Sequence, residues 1–404
     1  MKDVALLHYA APPVVGGVES TLRAHARLLS EAGYPVRVFA GSGKGSDIFA
    51  PFTLIPKFGS RHPAVEAVQR ELAAGQAGES FRNLTDDLYD ELKRALVGCD
   101  VCIAHNVATL NKNLALTAAL HRLAQAQDVR VIAWCHDFAW TDPLYQPQLH
   151  QGWPWELLKT AWPGVCYVAV SEARRAELSG LLNLPADQIA VVPPGISPRE
   201  FLGLGQRAVA WMDRWGLWQA NPFMLLPARV TRRKNMELAI QITAALRALG
   251  LAPKLIVMGP LGPHNAANVD YLRELKSLGA RLGVSEAVIF LQEHSTVSDA
   301  ARRDLYLLAD LLLFPSLREG FGIPILEAGL ARLPIFCSDI PPFHESAGPW
   351  ANYISLNEAP AAIAARLAAQ LEADTAHRLR RRVLEQYNWA SLMTKKIIPL
   401  LEET

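Results

Sequence analysis

What the sequence lacks narrows its reading before any motif is weighed. No run approaches the roughly 18 apolar residues of a membrane-spanning helix, although half the residues are hydrophobic. The opening MKDVALLHYA enters a strand pattern directly, so no signal peptide is expected and the expected compartment is the cytoplasm. Charge of neither sign prevails: 40 Lys and Arg stand against 39 Asp and Glu. Without a basic surplus, nucleic acid is not an expected partner. Cysteine is scarce, with five residues at Cys99, Cys102, Cys135, Cys166 and Cys337. Cys99 and Cys102 have C-x-x-C spacing, but on a strand they fall on opposite faces, and no helix follows as a redox motif needs. The cysteines read as core residues of a reducing compartment. No two aspartates stand at D-x-D spacing, so a fixed metal clamp of that kind has no support and no metal is expected. No internal repeat is evident.

What is present is a steady alternation. Short apolar runs bounded by turn residues recur at 4–10, 35–41, 99–106, 129–137, 164–171 and 189–195, then at 223–229, 254–260, 287–293, 310–316 and 333–339. Such runs suit strands buried on both faces, with helices between them. The expected fold class is α/β with doubly wound parallel sheets. A chain of 404 residues is long enough for two cores. The Pro- and Gly-rich PPGISPREFLGLG at 193–205 reads as the linker. The domains are then expected at about 1–198 and 199–386, with a last helix from Trp389. Two Rossmann-like domains of this kind would present the carboxyl ends of their strands to one ligand across a cleft.

The most informative stretch is 311–339, LLLFPSLREGFGIPILEAGLARLPIFCSD. It reads as strand, loop, helix and strand. Pro324 suits the first turn of a helix, where its missing N–H costs nothing. Gly320 and Gly322 leave the backbone bare just before, with Phe321 between them and Ile323 opening the helix. A helix start with free amides attracts an anion. Glu319 and Glu327, eight positions apart, frame it. Two acids suit a phosphate that carries hydroxylated groups on either side, because carboxylates accept strongly from sugar hydroxyls.

The string from Glu319 to Glu327, EGFGIPILE, resembles the E-x7-E signature of retaining glycosyltransferase family 4, whose fold is GT-B. The resemblance implies that Glu319 lies near the donor sugar and that Glu327 holds the nucleotide ribose. LLPARVTRRKN (225–235) resembles the family's Arg/Lys pair, Arg229 and Lys234, which neutralises the donor diphosphate; Arg232 and Arg233 read as a solvated basic turn. Gly16 and Gly17, after the first strand, resemble the family's glycine loop. Gly259-Pro260 and the run ending at Glu293 resemble loops that hold the nucleotide base. His136 ends a strand where the family has a His near the reacting sugar. His105-Asn106 and His136-Asp137 both stand at strand ends, where α/β sheets present ligand groups. In the GT-B fold the last helix crosses back onto the first domain, which implies that about 387–404 joins 1–198.

Several stretches say less. SGKGSD (42–47) lacks Walker spacing and reads as a mobile loop. Lys57, Arg61 and His62 read as surface charge. The aromatic tract Phe138, Trp140, Tyr145, Trp153, Trp155 and Trp162 suits sugar stacking, packing under a long loop, or a membrane surface, so peripheral membrane contact stays open. Pro194 and Ser197 stand where relatives often have Asn and Asp, and Ala228 where Gly is usual.

The reading is a retaining, metal-independent glycosyltransferase. It moves a hexose from a UDP- or GDP-hexose to a small-molecule, glycan or lipid-linked acceptor, with an acceptor-side first domain and a donor-side second domain. The expected catalytic residues are His136, Glu319, Arg229 and Lys234. The rivals are another GT-B enzyme, such as a sugar-nucleotide epimerase or a phosphorylase, and a non-catalytic nucleotide-sugar binding protein. The nucleotide, sugar, acceptor and oligomeric state are not legible.

Overall fold

The computed structural model describes residues 1–261 and 267–403. The chain divides into two compact units, one of Met1–Ile196 with the segment that starts at Tyr387, the other Ser197–Gln386.

In the first unit seven strands form one parallel sheet: β1 (Val4–His8), β2 (Val36–Ala40), β3 (Phe52–Leu54), β4 (Val101–His105), β5 (Arg130–Cys135), β6 (Cys166–Ala169) and β7 (Ile189–Val191). Their spatial order is β3-β2-β1-β4-β5-β6-β7. VALLH of β1 and VCIAH of β4 are buried at every position, as central strands with helices on both faces require. Helix Glu79–Ala95 buries Phe81, Leu84, Leu88 and Leu92, a stripe of helical period, and packs on helix Leu114–Ala126.

The C-terminal segment completes this unit's core. The Ile196 amide donates to the Tyr387 carbonyl at 2.7 Å, and the Trp389 amide returns to Ile196 at 3.2 Å. Trp389, Leu392, Ile397 and Leu401 are buried with strand residues of β1, β4 and β5. Burying each such side chain is worth about 1.5–3 kcal/mol. A side chain at Gly195 would run into the Trp389 indole at 2.6 Å, so part of the supposed linker is a packed joint. Beyond it Ser197 caps a short helix, Pro198–Phe201.

The second unit has six strands: β8 (Phe223–Leu226), β9 (Lys254–Val257), β10 (Val288–Phe290), β11 (Leu311–Phe314), β12 (Ile335–Ser338) and β13 (Asn352–Ile354). They are parallel in the order β10-β9-β8-β11-β12-β13. Both units are thus doubly wound α/β sheets, the Rossmann-like pair that the sequence leads one to expect.

Two strands are absent from the sequence reading. β3 and β13 are three-residue edge strands, and each has one neighbour. FTL and NYI are partly exposed, so neither has the apolar run by which buried strands are found. Residues 45–47 form a 3-10 turn rather than plain loop. Lys57 pairs with Asp87 at 2.9 Å, and His62 caps helix Pro63–Ala73. All five cysteines are free, and four are buried. Among the described residues no helix is long and apolar enough to cross a membrane.

Candidate active site

Within each unit, sheet order sets loops that carry candidate residues beside one another. In each unit the strand order reverses between two central neighbours, β1 with β4 and β8 with β11. Ligands of open α/β sheets bind beyond the strand carboxyl ends at such a reversal.

In the second unit the loops that leave β8 and β11 meet there. The Leu317 amide donates to the Arg233 carbonyl at 2.8 Å. Lys234 contacts the Glu319 carboxylate through Nζ and Oε1. Both side chains are only 9% exposed, so this is a buried ion pair and not a surface one. Ser316 donates to the same carboxylate at 3.0 Å, and Arg233 reaches Oε2 at 3.3 Å. The Lys234 ammonium lies 5.0 Å from the centre of the Phe314 ring. Burial, helped by the Arg233 charge, lowers the Lys234 pKa to about 8; the Glu319 carboxylate in contact pulls the other way. Arg229 is exposed and has no side-chain partner among the described residues.

Helix Ile323–Leu330 follows directly. Gly322 precedes it at φ +100°, where a side chain would also strike Phe343 at 2.9 Å. Among the described residues no side chain caps the helix start. Gly320, Phe321 and Ile323 are exposed beside it. One turn in, Glu327 accepts from the Tyr306 hydroxyl at 2.6 Å and pairs with Arg302 at 3.2 Å. These three line a hollow of about 270 Å³. Glu293 is bound by Lys276 at 2.5 Å and lines a separate hollow of about 320 Å³, whose lining includes none of Arg229, Lys234, Glu319 or Glu327.

In the first unit a histidine cluster stands at the reversal. His8 ends β1 and His105 ends β4, side by side. His8 Nδ1 donates to the His105 carbonyl at 2.9 Å, and its Nε2 lies 3.8 Å from Glu19. The His8 ring holds the Glu19 carboxyl below its ordinary pKa. Glu19 lies in the first turn of helix Gly17–Glu31, which has Gly16 as its cap. His136, just past β5, has its amide on Asn106 Oδ1 at 2.7 Å and its Nε2 3.3 Å from His105 Nδ1. Burial pushes the His136 imidazole down to about 4 and the fully buried His25 to about 3. Neither carries charge near neutral pH.

Comparison with known proteins decides what this arrangement belongs to. A family model described as "Glycosyltransferase Family 4" matches residues 15–200, and one described as "Glycosyl transferases group 1" matches residues 210–386. The chain is a glycosyltransferase of the family 4 type. The mannosylglucosylglycerate synthase of Thermotoga maritima is 24% identical to this glycosyltransferase over 84% of this chain and 82% of its own length. The protein of the same name from Petrotoga mobilis is 24% identical over 65% of either chain. A solved glycosyltransferase from Rickettsia africae covers the full length of both chains at 16% identity, with a TM-score of 0.38.

Set against the sequence reading, the glycosyltransferase joins some expected residues and separates others. Lys234 is in contact with Glu319, while the Arg229 side chain is exposed. Gly259 has a packing role: a side chain there would overlap the Ala228 carbonyl at 2.2 Å. Gly17 has open space around it, whereas a side chain at Gly16 would meet the Glu19 carboxylate. In the aromatic tract Phe138, Trp155 and Trp162 are buried under the loop, and Trp153 alone is 51% exposed.

Arg233, 55% exposed, is solvated as expected, and it also reaches Glu319. The signal was available in the opposition of the RRK of 232–234 to the acid at 319. Ser316, Tyr306, Arg302, His8 and Glu19 also escape the sequence reading; Tyr306 and Arg302 reach Glu327 from another helix, whereas Ser316 lies in the same loop as its partner Glu319.

Proposed function

We propose that this glycosyltransferase moves a hexose from a UDP- or GDP-hexose to an acceptor hydroxyl, with retention at the anomeric carbon and without a metal. The observation that carries the reading is the buried pairing of Lys234 with Glu319 at the β8/β11 reversal, next to an uncapped helix start. A cation, a carboxylate and free amides in one place are what a sugar diphosphate requires.

Departure of the diphosphate is the demanding step. Negative charge grows on the leaving oxygen while the sugar becomes oxocarbenium-like. Lys234, Arg229 and the amides at Gly322–Ile323 stabilise that charge; such fixed electrostatics are often the largest contribution to catalysis. The diphosphate gives Lys234 a new anionic partner, and Glu319 is then free to accept from sugar hydroxyls. Glu327 holds the ribose, exchanging its contacts with Tyr306 and Arg302 for ligand hydroxyls. The second unit is then the donor side and the first the acceptor side, with His136 its group for the sugar. Among the described residues none presents itself as a covalent nucleophile, so the proposed attack by the acceptor is from the face that the diphosphate leaves. The leaving oxygen takes the acceptor's proton.

A thermal-shift panel of nucleotide sugars tests the donor, because a ligand of the native state raises apparent stability. Two relatives bear the name of a mannosyl compound, so GDP-mannose belongs in the panel beside UDP-glucose. With a donor found, NMR of the product reads the anomer. Excess chelator is expected to leave most of the turnover. Inverted product, or complete loss on chelation restored by magnesium, refutes the corresponding part.

A further inference from the structure

We propose that His105 is a positioning residue that fixes the tautomer of His136, so that His136 presents a neutral Nδ1–H donor to the sugar side. The catalytic use of that donor rests on the function proposed above; the tautomer itself does not.

The assignment follows from a single hydrogen bond. His105 is fully buried, its Nδ1 lies 3.3 Å from His136 Nε2, and its own Nε2 has no partner among the described residues. Burial disfavours a second proton on either ring, and both pKa values are lowered accordingly. Two neutral imidazoles in contact leave two arrangements. In the first, His105 Nδ1–H donates to His136 Nε2. His105 Nε2 is then a bare nitrogen among the rings of His25 and Trp134, and the proton of His136 is on Nδ1. In the second, His136 Nε2–H donates to His105 Nδ1. That forces the proton of His105 onto Nε2, a buried N–H with nothing to receive it.

A buried orphan donor is rarer than an under-used acceptor, and leaving it unmet costs the full desolvation of the group. The first arrangement is therefore favoured. The rest of the setting is fixed to match it. The His136 amide is held by Asn106 Oδ1, and Asn106 Nδ2 donates to Asp137 at 3.1 Å. His105 and Trp134 are paired across β4 and β5. His136 Nδ1 has no protein partner among the described residues and is not sealed from solvent.

The consequence is a choice between two chemistries. With the proton on Nδ1, the outward nitrogen donates to an oxygen, either a sugar hydroxyl or a developing oxyanion. With the proton on Nε2, the outward nitrogen would be a bare base able to take the acceptor's proton. The assigned tautomer fits a reaction in which the leaving oxygen, not a protein base, takes that proton.

Histidine side-chain nitrogen NMR on the full chain, labelled with ¹⁵N-histidine, reads the tautomer without any substrate; His136→Ala assigns the signals. The expected result is a protonated Nδ1 and a bare Nε2 at His136. The reverse overturns the proposal. His105→Asn keeps an N–H near the Nδ1 position, whereas His105→Leu removes it. The Nδ1–H form should persist in His105→Asn and give way to a mixture in His105→Leu. With a donor that the chain turns over, such as UDP-glucose or GDP-mannose, His105→Leu should lower kcat about tenfold and leave KM within about twofold, and His105→Asn should recover most of the loss. Equal losses in the two variants overturn the positioning role. The expected tautomer together with no turnover of any donor by the unaltered chain refutes the glycosyl-transfer reading alone and leaves the tautomer assignment standing.

Discussion

Replacing Glu319 by Gln keeps the volume of the side chain and removes the one negative charge between Lys234 and Arg233. Breaking a fully buried ion pair from one side costs about 3–5 kcal/mol. Here the Gln oxygen still accepts from Lys234, and Arg233, 55% exposed, stays solvated. A loss of about 2 kcal/mol is the reasonable figure, which for a unit of this size lowers its Tm by roughly 4–8 °C. The effect on ligand binding has the opposite sign. In the native chain an arriving diphosphate competes with Glu319 for the ammonium, whereas in the variant it meets a cation with no carboxylate partner. A hydrogen bond to a charged group is worth about 1.5–3 kcal/mol, so bare UDP or GDP should bind roughly tenfold tighter or better. Placed on the sugar side alone, Glu319 would leave bare-nucleotide affinity almost unchanged; its contact with Lys234 reverses that expectation.

Turnover of the intact donor should still collapse in Glu319→Gln, because the sugar loses the carboxylate that its growing positive charge requires. Scanning fluorimetry with and without UDP and GDP, then calorimetry, separates the effects. An unchanged Tm together with an unchanged or weaker nucleotide affinity refutes the competition between Glu319 and the diphosphate.

Lys234, with its pKa lowered to about 8, should be charged below that pH and must take up a proton to bind phosphate above it. Nucleotide affinity should therefore fall by up to about tenfold per pH unit above 8, and calorimetry in buffers of different ionisation heat should show proton uptake; a flat profile to pH 9.5 refutes it. Glu327→Gln should weaken bare nucleotide and intact donor alike, by about 10- to 150-fold, and equal affinities in variant and native chain by calorimetry would remove Glu327 from the ribose. His25, pushed from 6.5 to about 3 by burial, binds its proton in the unfolded chain first. Its contribution to stability is complete above pH 6.5 and is lost at about 1.4 kcal/mol per pH unit as pH falls toward 3. His25→Phe should flatten the acid limb of a urea-midpoint curve by that slope, and an unchanged limb contradicts it.

The sheets were legible because burial on both faces writes a strand as an unbroken apolar run. Among the described residues, eleven of the thirteen strands have such a run. The two without it, β3 and β13, are edges, and an edge strand needs only one apolar face and one neighbour. The acids were legible for a different reason: Glu319 and Glu327 belong to one continuous loop and helix start, so their spacing survives in the sequence. The partners of those acids were not. Tyr306 and Arg302 reach Glu327 from another helix, and Lys234 reaches Glu319 from a loop 85 positions away. A sequence shows which charges exist, but only the strand order shows which loops are neighbours.

That distinction explains why Arg233 and Lys234, adjacent in the chain, are read so differently, and why the contact of the solvated Arg233 with Glu319 is not legible. In sequence the RRK turn is three cations in a row, for which mutual repulsion argues solvent. In the fold, the reversal between β8 and β11 sets the 315–322 loop against that turn, and the Arg233 carbonyl is tied to the Leu317 amide. The backbone bond fixes the register of the two loops, and the register decides which side chains meet. Lys234 is left facing inward over Phe314, Arg233 reaches over the rim to Glu319, and Arg232 turns away to Glu274 at 2.7 Å. One carboxylate thereby holds two of the three cations at the point where the strand order opens a binding place. If the site takes a diphosphate as proposed, the same carboxylate must yield one of them. On the proposed function, the ion pair that orders these two loops is also the contact with which a donor has to compete.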